Sequence, residues 1–181
     1  KDTEGEMLFY QSKVCEGVFH RISSGTTRDG LEVFGKMEKG YLLSVDSNWD
    51  MYGDGYLSGH YFSEGALREQ LEKAYPGLVF TEEPVENQIN MYKRDKVGHI
   101  LSLTVGNKTI SGEEFRQLLE LPSSNFTMQA ADGKIRFLCK GQGHGLGLSQ
   151  YGGNVLAKEG KSYKEILRYY FPECGVQKKD S

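Results

Sequence analysis

The stretch from Gly141 to Gly153 reads Gly-Gln-Gly-His-Gly-Leu-Gly-Leu-Ser-Gln-Tyr-Gly-Gly, and glycine occupies every second position from 141 to 147. In an extended chain alternate residues project from opposite faces, so the spacing predicts a strand with one face that carries no side chains. Another backbone or a flat ligand can approach such a face closely, and glycine also suits a point where a strand merely crosses another element. Four glycines in register, followed by Ser-Gln-Tyr, favour a binding site.

Helices are predicted from serine residues that can cap their first turns. Ser149 precedes a helix that should run to Gly160, and Ser63 precedes a stripe of apolar residues at helical spacing. Ser111 and Ser162 each stand three residues before a glutamate, which is the capping-box pattern. Strands are predicted where β-branched and aromatic residues are frequent, at 6–10, 14–22, 41–45, 100–105 and 108–110. The predicted fold class is α+β: a mixed, strand-rich single domain over residues 1–181 with about four helices.

The composition narrows the classes of function. The 181 residues are 38% hydrophobic and carry a formal net charge of −3, with acidic and basic residues interspersed. This is enough apolar sequence for one core, and the absence of a basic stripe argues against nucleic acid as a partner. No run approaches the roughly 20 apolar residues of a membrane span, and the start at Lys1 lacks a signal-peptide pattern. We expect that sequence preceding Lys1 has been removed, and that any membrane attachment is an N-terminal anchor in that sequence.

The glycine-rich stretch does not match the common phosphate-binding motifs. A Walker loop requires Gly-Lys-Ser/Thr, whereas Gly147 is followed by Leu148 and Ser149. The dinucleotide fingerprint requires a further glycine three positions after a Gly-x-Gly pair, where this sequence has leucine or glutamine. Both motifs fail, and no cofactor is expected.

A zinc site is an alternative that the cysteines leave open. Cys15 and Cys139 each stand five residues before a histidine, His20 and His144, so two adjacent strands could bring four ligands together. On an extended strand this separation places the cysteine and the histidine on opposite faces, which disfavours the site, and no metal is expected. With Cys174 there are three cysteines, which allow one disulfide and one free thiol but no disulfide framework.

Two further segments carry polar side chains suited to a binding site. The segment 20–27 ends a predicted strand in small hydroxyl residues and a glycine, which can hydrogen-bond sugar hydroxyls and acetamido groups, although an ordinary turn has the same composition. The segment 41–50 contains the only tryptophan, Trp49, which is predicted to be core rather than a sugar-stacking platform. Three carboxylates in or near these segments are interpreted mainly as solvated or capping groups: Glu32, Asp46 and Asp50.

The order, spacing and sequence of these segments resemble the stage II sporulation protein D and amidase-enhancer family. Residues 143–152 closely resemble its signature, residues 41–50 resemble its second block, and residues 20–27 resemble its Ser-x-Gly-x-Thr block. Residues 112–126 resemble a weaker block, so the resemblance covers nearly the whole chain. The sequence departs from the usual glycine, acidic, proline or methionine residues of the family at Ser24, Arg28, Gly40, Asn48 and Leu148.

The resemblance implies a bacterial cell-wall protein that cleaves glycan strands of peptidoglycan as a lytic transglycosylase during sporulation or engulfment. In that reaction the sugar's own 6-hydroxyl attacks the anomeric carbon, so the MurNAc–GlcNAc bond breaks and a 1,6-anhydro end forms. One carboxylic acid can act first as acid and then as base. The family's catalytic glutamate lies upstream of all these blocks, so we expect this chain alone to lack it, and its catalytic residues stay unassigned.

The residues that match the family's blocks are expected to converge on one groove for the glycan. His144 and Gln150 would orient sugar or acetamido oxygens, and Ser23, Thr27 and Tyr151 would add hydrogen bonds. The candidate substrate-binding residues are His20, Ser23, Ser24, Gly25, Thr27, Gly143, His144, Gly145, Ser149, Gln150 and Tyr151.

Two alternatives would use the same residues without cleavage by this chain: a non-catalytic glycan-binding module, or an activator of a cell-wall amidase. Turnover of glycan strands separates an enzyme from a binder. The resemblance also implies an extracytoplasmic location in a bacterium, in the cell wall or on the outside face of the cytoplasmic membrane. Peptidoglycan glycan strands are the expected partner, with other sporulation hydrolases or an amidase as further candidates.

Overall fold

The chain folds as two units in a computed structural model that describes residue 3 and residues 5–178. Unit 1 comprises Lys1–Gly53 and Gly145–Ser181, and unit 2 comprises Asp54–His144. The described residues contain five α-helices, four of them with seven or more residues, and eleven strands in several sheets. The predicted α+β class is confirmed. None of the helices in this part of the chain is long and apolar enough to cross a membrane.

Unit 1 contains a small antiparallel sheet and a short parallel strand pair. The sheet has the order β11-β1-β2, where the strands are β1 (Glu6–Tyr10), β2 (Lys13–Val14) and β11 (Gly175–Lys178). The parallel pair joins β3 (Phe19–His20) to β10 (Leu148–Ser149). Its α-helices are α1 (Gly30–Phe34), α4 (Gln150–Lys158) and α5 (Tyr163–Tyr170), and its 3-10 helices are Met37–Lys39 and Asn48–Tyr52.

Unit 1 has its own hydrophobic core, which explains why its glycine-rich segment and its C-terminal helices pack together. The buried members are Tyr41, Leu42, Leu146, Leu156, Tyr170, Phe171 and Cys174. Trp49 is partly buried against this core, and its ring lies 5.8 Å from the ring of Tyr169. The prediction that Trp49 belongs to the core therefore agrees with its packing.

Unit 2 contains two antiparallel sheets and two helices around a second core. One sheet has the order β4-β9-β8, with β4 at Leu57–Phe62, β8 at Phe126–Ala131 and β9 at Lys134–Lys140. The other has the order β5-β6-β7, with β5 at Ile89–Arg94, β6 at Ile100–Val105 and β7 at Lys108–Ile110. The helices are α2 (Glu64–Ala74) and α3 (Gly112–Leu118), and a 3-10 helix spans Val85–Gln88.

All four predicted serine caps are confirmed. The Ser63 and Ser149 side chains accept hydrogen bonds from the first turns of α2 and α4. Ser111 and Ser162 form complete capping boxes, in which the glutamate three residues on accepts a hydrogen bond from the serine backbone N–H. A cap involves only residues of the first helical turn, so it can be predicted from the local sequence.

Two of the predicted strands are wrong in extent. The range 14–22 contains only the last residue of β2 and the two residues of β3, and the range 41–45 contains no strand. Tyr41 and Leu42 are instead buried in irregular backbone, with 3% and 1% of their surfaces exposed. These two residues are apolar because they belong to the core of unit 1. β propensity alone does not distinguish such buried irregular backbone from a strand.

The predicted extended strand at 141–147 is also wrong. Gly141, Gly143, Gly145 and Gly147 all have positive φ angles, of 76°, 106°, 77° and 69°, whereas an extended strand has negative φ. The alternating glycines are therefore required by the backbone conformation, which side chains other than glycine rarely adopt. The first two of them end unit 2, and the last two begin the second segment of unit 1.

Candidate functional site

Backbone pairing brings two of the motif segments together in unit 1. Strands β3 and β10 pair in parallel, with Phe19 opposite Leu148 and His20 opposite Ser149. The His20 side chain is 4% exposed, and its Nδ1 lies 3.0 Å from the carbonyl oxygen of Leu146. The amide of Tyr151 donates to the carbonyl of Arg21 at 3.0 Å. The segment around residue 20 and the segment after residue 145 therefore lie side by side in unit 1.

The carboxylate of Asp50 joins the third segment to the other two. It is fully buried; one of its oxygens accepts a 2.7 Å hydrogen bond from the Ser23 amide, and the other accepts a 2.9 Å hydrogen bond from the Ser149 hydroxyl. The interpretation of Asp50 as a solvated or capping carboxylate is wrong, because it is a buried link among all three motif segments. Asp46, in contrast, is exposed, and Glu32 lies half-buried in α1.

Ser149 has two roles that fix the start of α4. Its hydroxyl donates to Asp50 and accepts from the Gly152 amide at 3.2 Å, so the N-cap is tied to the buried carboxylate. Gly152 packs against the Tyr170 hydroxyl and the Ser47 side chain, leaving no room for a Cβ atom. Ser47 and Tyr170 are themselves 2.8 Å apart through their hydroxyl oxygens. Burial, and to a smaller extent the charge of Asp50, raises the pKa of the Tyr170 phenol, which keeps it a neutral hydrogen-bonding group.

Thr27 holds the loop 41–50 against the first segment. Its amide donates to the Val45 carbonyl at 2.8 Å, and its hydroxyl accepts from the Val45 amide at 2.8 Å. The Ser44 hydroxyl donates to the Thr27 carbonyl at 2.7 Å. Thr27 is 1% exposed, so its polar groups serve the internal structure of the site.

Polar side chains at the edge of this network are accessible to a ligand. Gln150 is exposed and Tyr151 is half-buried. Ser24 is half-buried as a residue, but its hydroxyl oxygen is buried. Ser24 and Gln150 directly follow the two residues that bond Asp50, so they lie where the segments meet. We call Gln150 and Tyr151 the site edge. The two residues that follow Asp50 in sequence are also exposed: 45% of the surface of Met51 and 82% of that of Tyr52. The Met51 side chain lies close to Gly25.

The structure places the predicted site residues in two groups. Unit 1 holds nine of them, and six of these nine are buried: His20, Ser23, Gly25, Thr27, Gly145 and Ser149. Gly143 and His144 are half-buried at the end of unit 2. The shared groove of His20 and His144 therefore stays a prediction. Four residues at or near this network were not predicted from the sequence: Ser47, Met51, Tyr52 and Tyr170. The first three lie in or beside the segment 41–50, so their position next to a family block was the available signal.

The zinc alternative receives no support from the arrangement of ligands. Among the described residues, no group of three or more histidine, cysteine, aspartate or glutamate side chains could hold a metal ion. Cys139 is buried within unit 2 on β9, and burial raises the pKa of its thiol to about 11. Cys15 instead lies beside Cys174 in unit 1, with 3.6 Å between the two sulfur atoms.

Comparison with known proteins identifies relatives over the whole chain. No family model matches. The chain is 30% identical over 180 residues to the stage II sporulation protein D of Bacillus amyloliquefaciens, which is 99% of this chain and 50% of that protein. It is 28% identical over 180 residues to the protein of the same name from Bacillus subtilis strain 168, again 99% of this chain and 50% of the relative. A segment of 50 residues, 28% of this chain, is 42% identical to 7% of the amidase enhancer of B. subtilis strain 168. The chain thus spans about half the length of the curated sporulation relatives.

Proposed function

Because the chain belongs to the stage II sporulation protein D and amidase-enhancer family, we propose that it binds peptidoglycan glycan strands and contributes to cell-wall remodelling during sporulation. The observation that carries the proposal is the hydrogen bonding of Asp50 to Ser23 and Ser149. This link fixes three distant segments in one place. It leaves the side chains of the site edge, the exposed Gln150 and the half-buried Tyr151, at the surface of the unit.

The chemistry of the site edge suits a neutral carbohydrate. Hydroxyl and amide side chains donate and accept hydrogen bonds in the patterns that sugar hydroxyls and acetamido groups require, and an aromatic ring can pack on a sugar face. The buried residues His20, Ser23, Thr27 and Ser149 contribute by holding the backbone in shape, since their known partners lie inside the unit. Their proposed role is therefore to position the site edge, as is that of Ser24, whose hydroxyl oxygen is buried. Direct contact with glycan is assigned to Gln150 and Tyr151.

We propose lytic transglycosylase activity for the whole protein and not for the 181-residue chain alone. Cleavage needs a carboxylic acid that can reach the glycosidic oxygen and exchange its proton. Asp50 does not meet this requirement, because it is fully buried and both of its oxygens accept hydrogen bonds from Ser23 and Ser149. The family resemblance assigns the acid to a glutamate upstream of these segments. The 181-residue chain is therefore proposed to bind glycan without cleaving it.

Activation of a cell-wall amidase is a second candidate, favoured by the 42% identity with the amidase enhancer over 50 residues. In that case the bound partner is a hydrolase in addition to the glycan. A purified amidase assayed on peptidoglycan with and without this chain tests it directly, since a rate increase supports activation and an unchanged rate rejects it. For either activity the proposed location is extracytoplasmic, in the cell wall or on the outer face of the membrane.

Co-sedimentation with purified, insoluble peptidoglycan tests glycan binding. The parent chain should sediment with the polymer, and Tyr151→Ala or Gln150→Ala should weaken its apparent affinity about tenfold, as expected when about 1.4 kcal/mol of contact is lost. Asn154→Ala is the matched control, because Asn154 is an exposed residue on the same helix. Equal sedimentation of all four proteins would reject the site edge as the binding surface.

Analysis of the same reaction for soluble products tests the assignment of the acid. Mass spectrometry should find no 1,6-anhydro muropeptides after incubation with the 181-residue chain. Their release would contradict the proposal and direct attention to the accessible carboxylates Asp46 and Glu32.

A further inference from the structure

Two cysteines that are far apart in sequence meet at the edge of the small sheet in unit 1. Cys15 directly follows β2, and Cys174 directly precedes β11, so they flank β1 from its two sides in the order β11-β1-β2. Their sulfur atoms are 3.6 Å apart. A disulfide requires about 2.05 Å between sulfur atoms, which small side-chain rotations could supply from this position.

The two thiols differ in exposure. Cys174 is 7% exposed and packs in the core of unit 1, beside the C-terminal end of α5. Cys15 is half-buried and lines two open surface cavities of about 390 and 480 Å³. Polar side chains, including those of Gln11, Lys13 and Glu16, line the first cavity together with Cys15.

We propose that Cys15 and Cys174 are a modification site that forms an intramolecular disulfide, and that this bond fastens β11 to the segment that follows β2. The proposal is independent of glycan binding. It concerns only the covalent state of unit 1, and neither cysteine lies among the glycan-binding candidates.

The oxidant is a small-molecule or protein disulfide, and the reaction is thiol–disulfide exchange. The Cys15 thiolate attacks one sulfur of the oxidant and displaces the other as a thiolate, giving a mixed disulfide at Cys15. The Cys174 thiolate then attacks the Cys15 sulfur and displaces the second oxidant thiolate. The two protein thiols thus lose two protons and two electrons, and the oxidant disulfide is reduced to two thiols.

Both thiols are protonated at neutral pH, so the rate of disulfide exchange should depend on pH. Burial raises the pKa of Cys15, and burial together with contact with Cys15 raises the pKa of Cys174 to about 12. The charge of Glu173 adds to the rise at Cys174. Charged groups of both signs line the cavity beside Cys15: Lys13, Lys39, Glu16 and Glu38. Lys39 is paired with Glu16. Since the thiolate is the reacting species, exchange should be slow at neutral pH and faster in alkaline buffer.

The bond is expected to stabilise the fold measurably. It closes a loop that includes most of the chain, and cross-links across long loops restrict the unfolded state most. The expected increase in the thermal unfolding midpoint of the oxidised chain over the reduced chain is about 5–15 °C.

Peptide mapping after incubation with oxidised glutathione at about pH 8.5 tests the proposal. The parent chain should lose the mass of two hydrogen atoms and yield one peptide pair that links Cys15 to Cys174. Cys139→Ser should behave like the parent, whereas Cys15→Ser and Cys174→Ser should each abolish the linked pair and the increase in unfolding temperature. Should either serine variant fail to fold, the peptide map of Cys139→Ser decides, because only the two proposed cysteines remain in it.

Three results would overturn the proposal. They are a glutathione adduct that persists at Cys15 without the linked pair, a linked pair that contains Cys139, and cross-linking only between two molecules. Oxidised and reduced chains with the same unfolding midpoint would reject the stabilising role while the map still reports whether the bond forms.

Discussion

The hydroxyl of Ser149 donates a 2.9 Å hydrogen bond to the buried carboxylate of Asp50, although the two residues are 99 positions apart in sequence. The same carboxylate accepts from the amide of Ser23, which is 27 positions before it. One side chain thus holds together the three segments that identify the family. The shape of the proposed glycan site should therefore depend on this buried carboxylate.

Replacement of Asp50 should therefore destabilise the protein strongly. Asp50→Ala leaves the Ser23 amide and the Ser149 hydroxyl without their buried acceptor, and we expect a loss of about 3–5 kcal/mol in the free energy of unfolding. Asp50→Asn should cost about half as much, because the amide oxygen can still accept from Ser23 while the amide N–H can donate to Ser149. Urea denaturation measures both. The exposed Asp46→Asn is the control, and an equal effect of the two asparagine variants would contradict the role of Asp50.

Adjacent glycines of α4 should respond in opposite directions to alanine. A Cβ at Gly152 would collide with the Tyr170 hydroxyl, whereas a Cβ at Gly153 would make ordinary contacts at 3.5 Å and beyond. We expect Gly152→Ala to destabilise by about 1–3 kcal/mol and Gly153→Ala to stabilise by about 0.5–1 kcal/mol.

A double-mutant cycle with Tyr170→Phe identifies the source of the Gly152 effect. Removal of the phenolic oxygen should recover part of the stability lost in Gly152→Ala, so the two changes together cost less than their sum. The cycle compares thermal or urea unfolding of the parent, Gly152→Ala, Tyr170→Phe and the double variant. Strict additivity would show that the Tyr170 hydroxyl is not what excludes a side chain at position 152.

Valine at Gly145 or Gly147 should be more damaging than Leu148→Met. Both glycines have positive φ, which is strained for valine, and at Gly147 a Cβ would also collide with the Val18 carbonyl oxygen. Leu148→Met conserves volume and should cost less than about 1.5 kcal/mol. Gly133→Val is a matched control, because Gly133 has a φ of 70° with open space around it. Equal losses for Gly147→Val and Gly133→Val would show that strain alone, and not close packing, explains the glycine.

The capping box of α3 should make stability depend on pH in the acidic range. Hydrogen bonds from the Ser111 hydroxyl and amide lower the pKa of Glu114 below its ordinary value of 4.5. Because the folded-state pKa is the lower one, this contribution is complete above about pH 4.5 and disappears as the pH falls through the folded-state pKa.

Comparison of the parent with Glu114→Gln in urea at several pH values checks this dependence. The parent should be more stable near neutral pH, and the difference should shrink below about pH 4. The effect is small, since the side chain is mostly exposed to solvent. A difference that stays constant from neutral to strongly acidic pH would contradict it.

The sequence predicted what depends on near neighbours in the chain. The caps at Ser63, Ser111, Ser149 and Ser162 need only the residues of one helical turn, and the hairpin of β6 and β7 needs only its turn at Gly106 and Asn107. Asp50 was misread because both of its partners are distant in sequence, so no local pattern distinguishes it from a solvated carboxylate.

The alternating glycines show that a local sequence pattern can fit more than one backbone conformation. A period of two is typical of a strand, but glycine also permits positive φ, and the same spacing fits a chain that adopts positive φ at every second residue. The predicted extended conformation was therefore wrong, and the role of the motif in binding stays a prediction. For the site, the consequence is that these glycines permit a backbone conformation that other residues rarely adopt.

An NMR titration of the isotope-labelled chain with peptide-free glycan strands tests whether glycan binds at the site edge. We expect saturable amide shifts concentrated at residues 23–25 and 150–152, with little change in the β6–β7 hairpin of unit 2. Tyr151→Ala should weaken the apparent affinity about tenfold. Absence of shifts at saturating glycan, or shifts centred on the hairpin and unaffected by Tyr151→Ala, would contradict it.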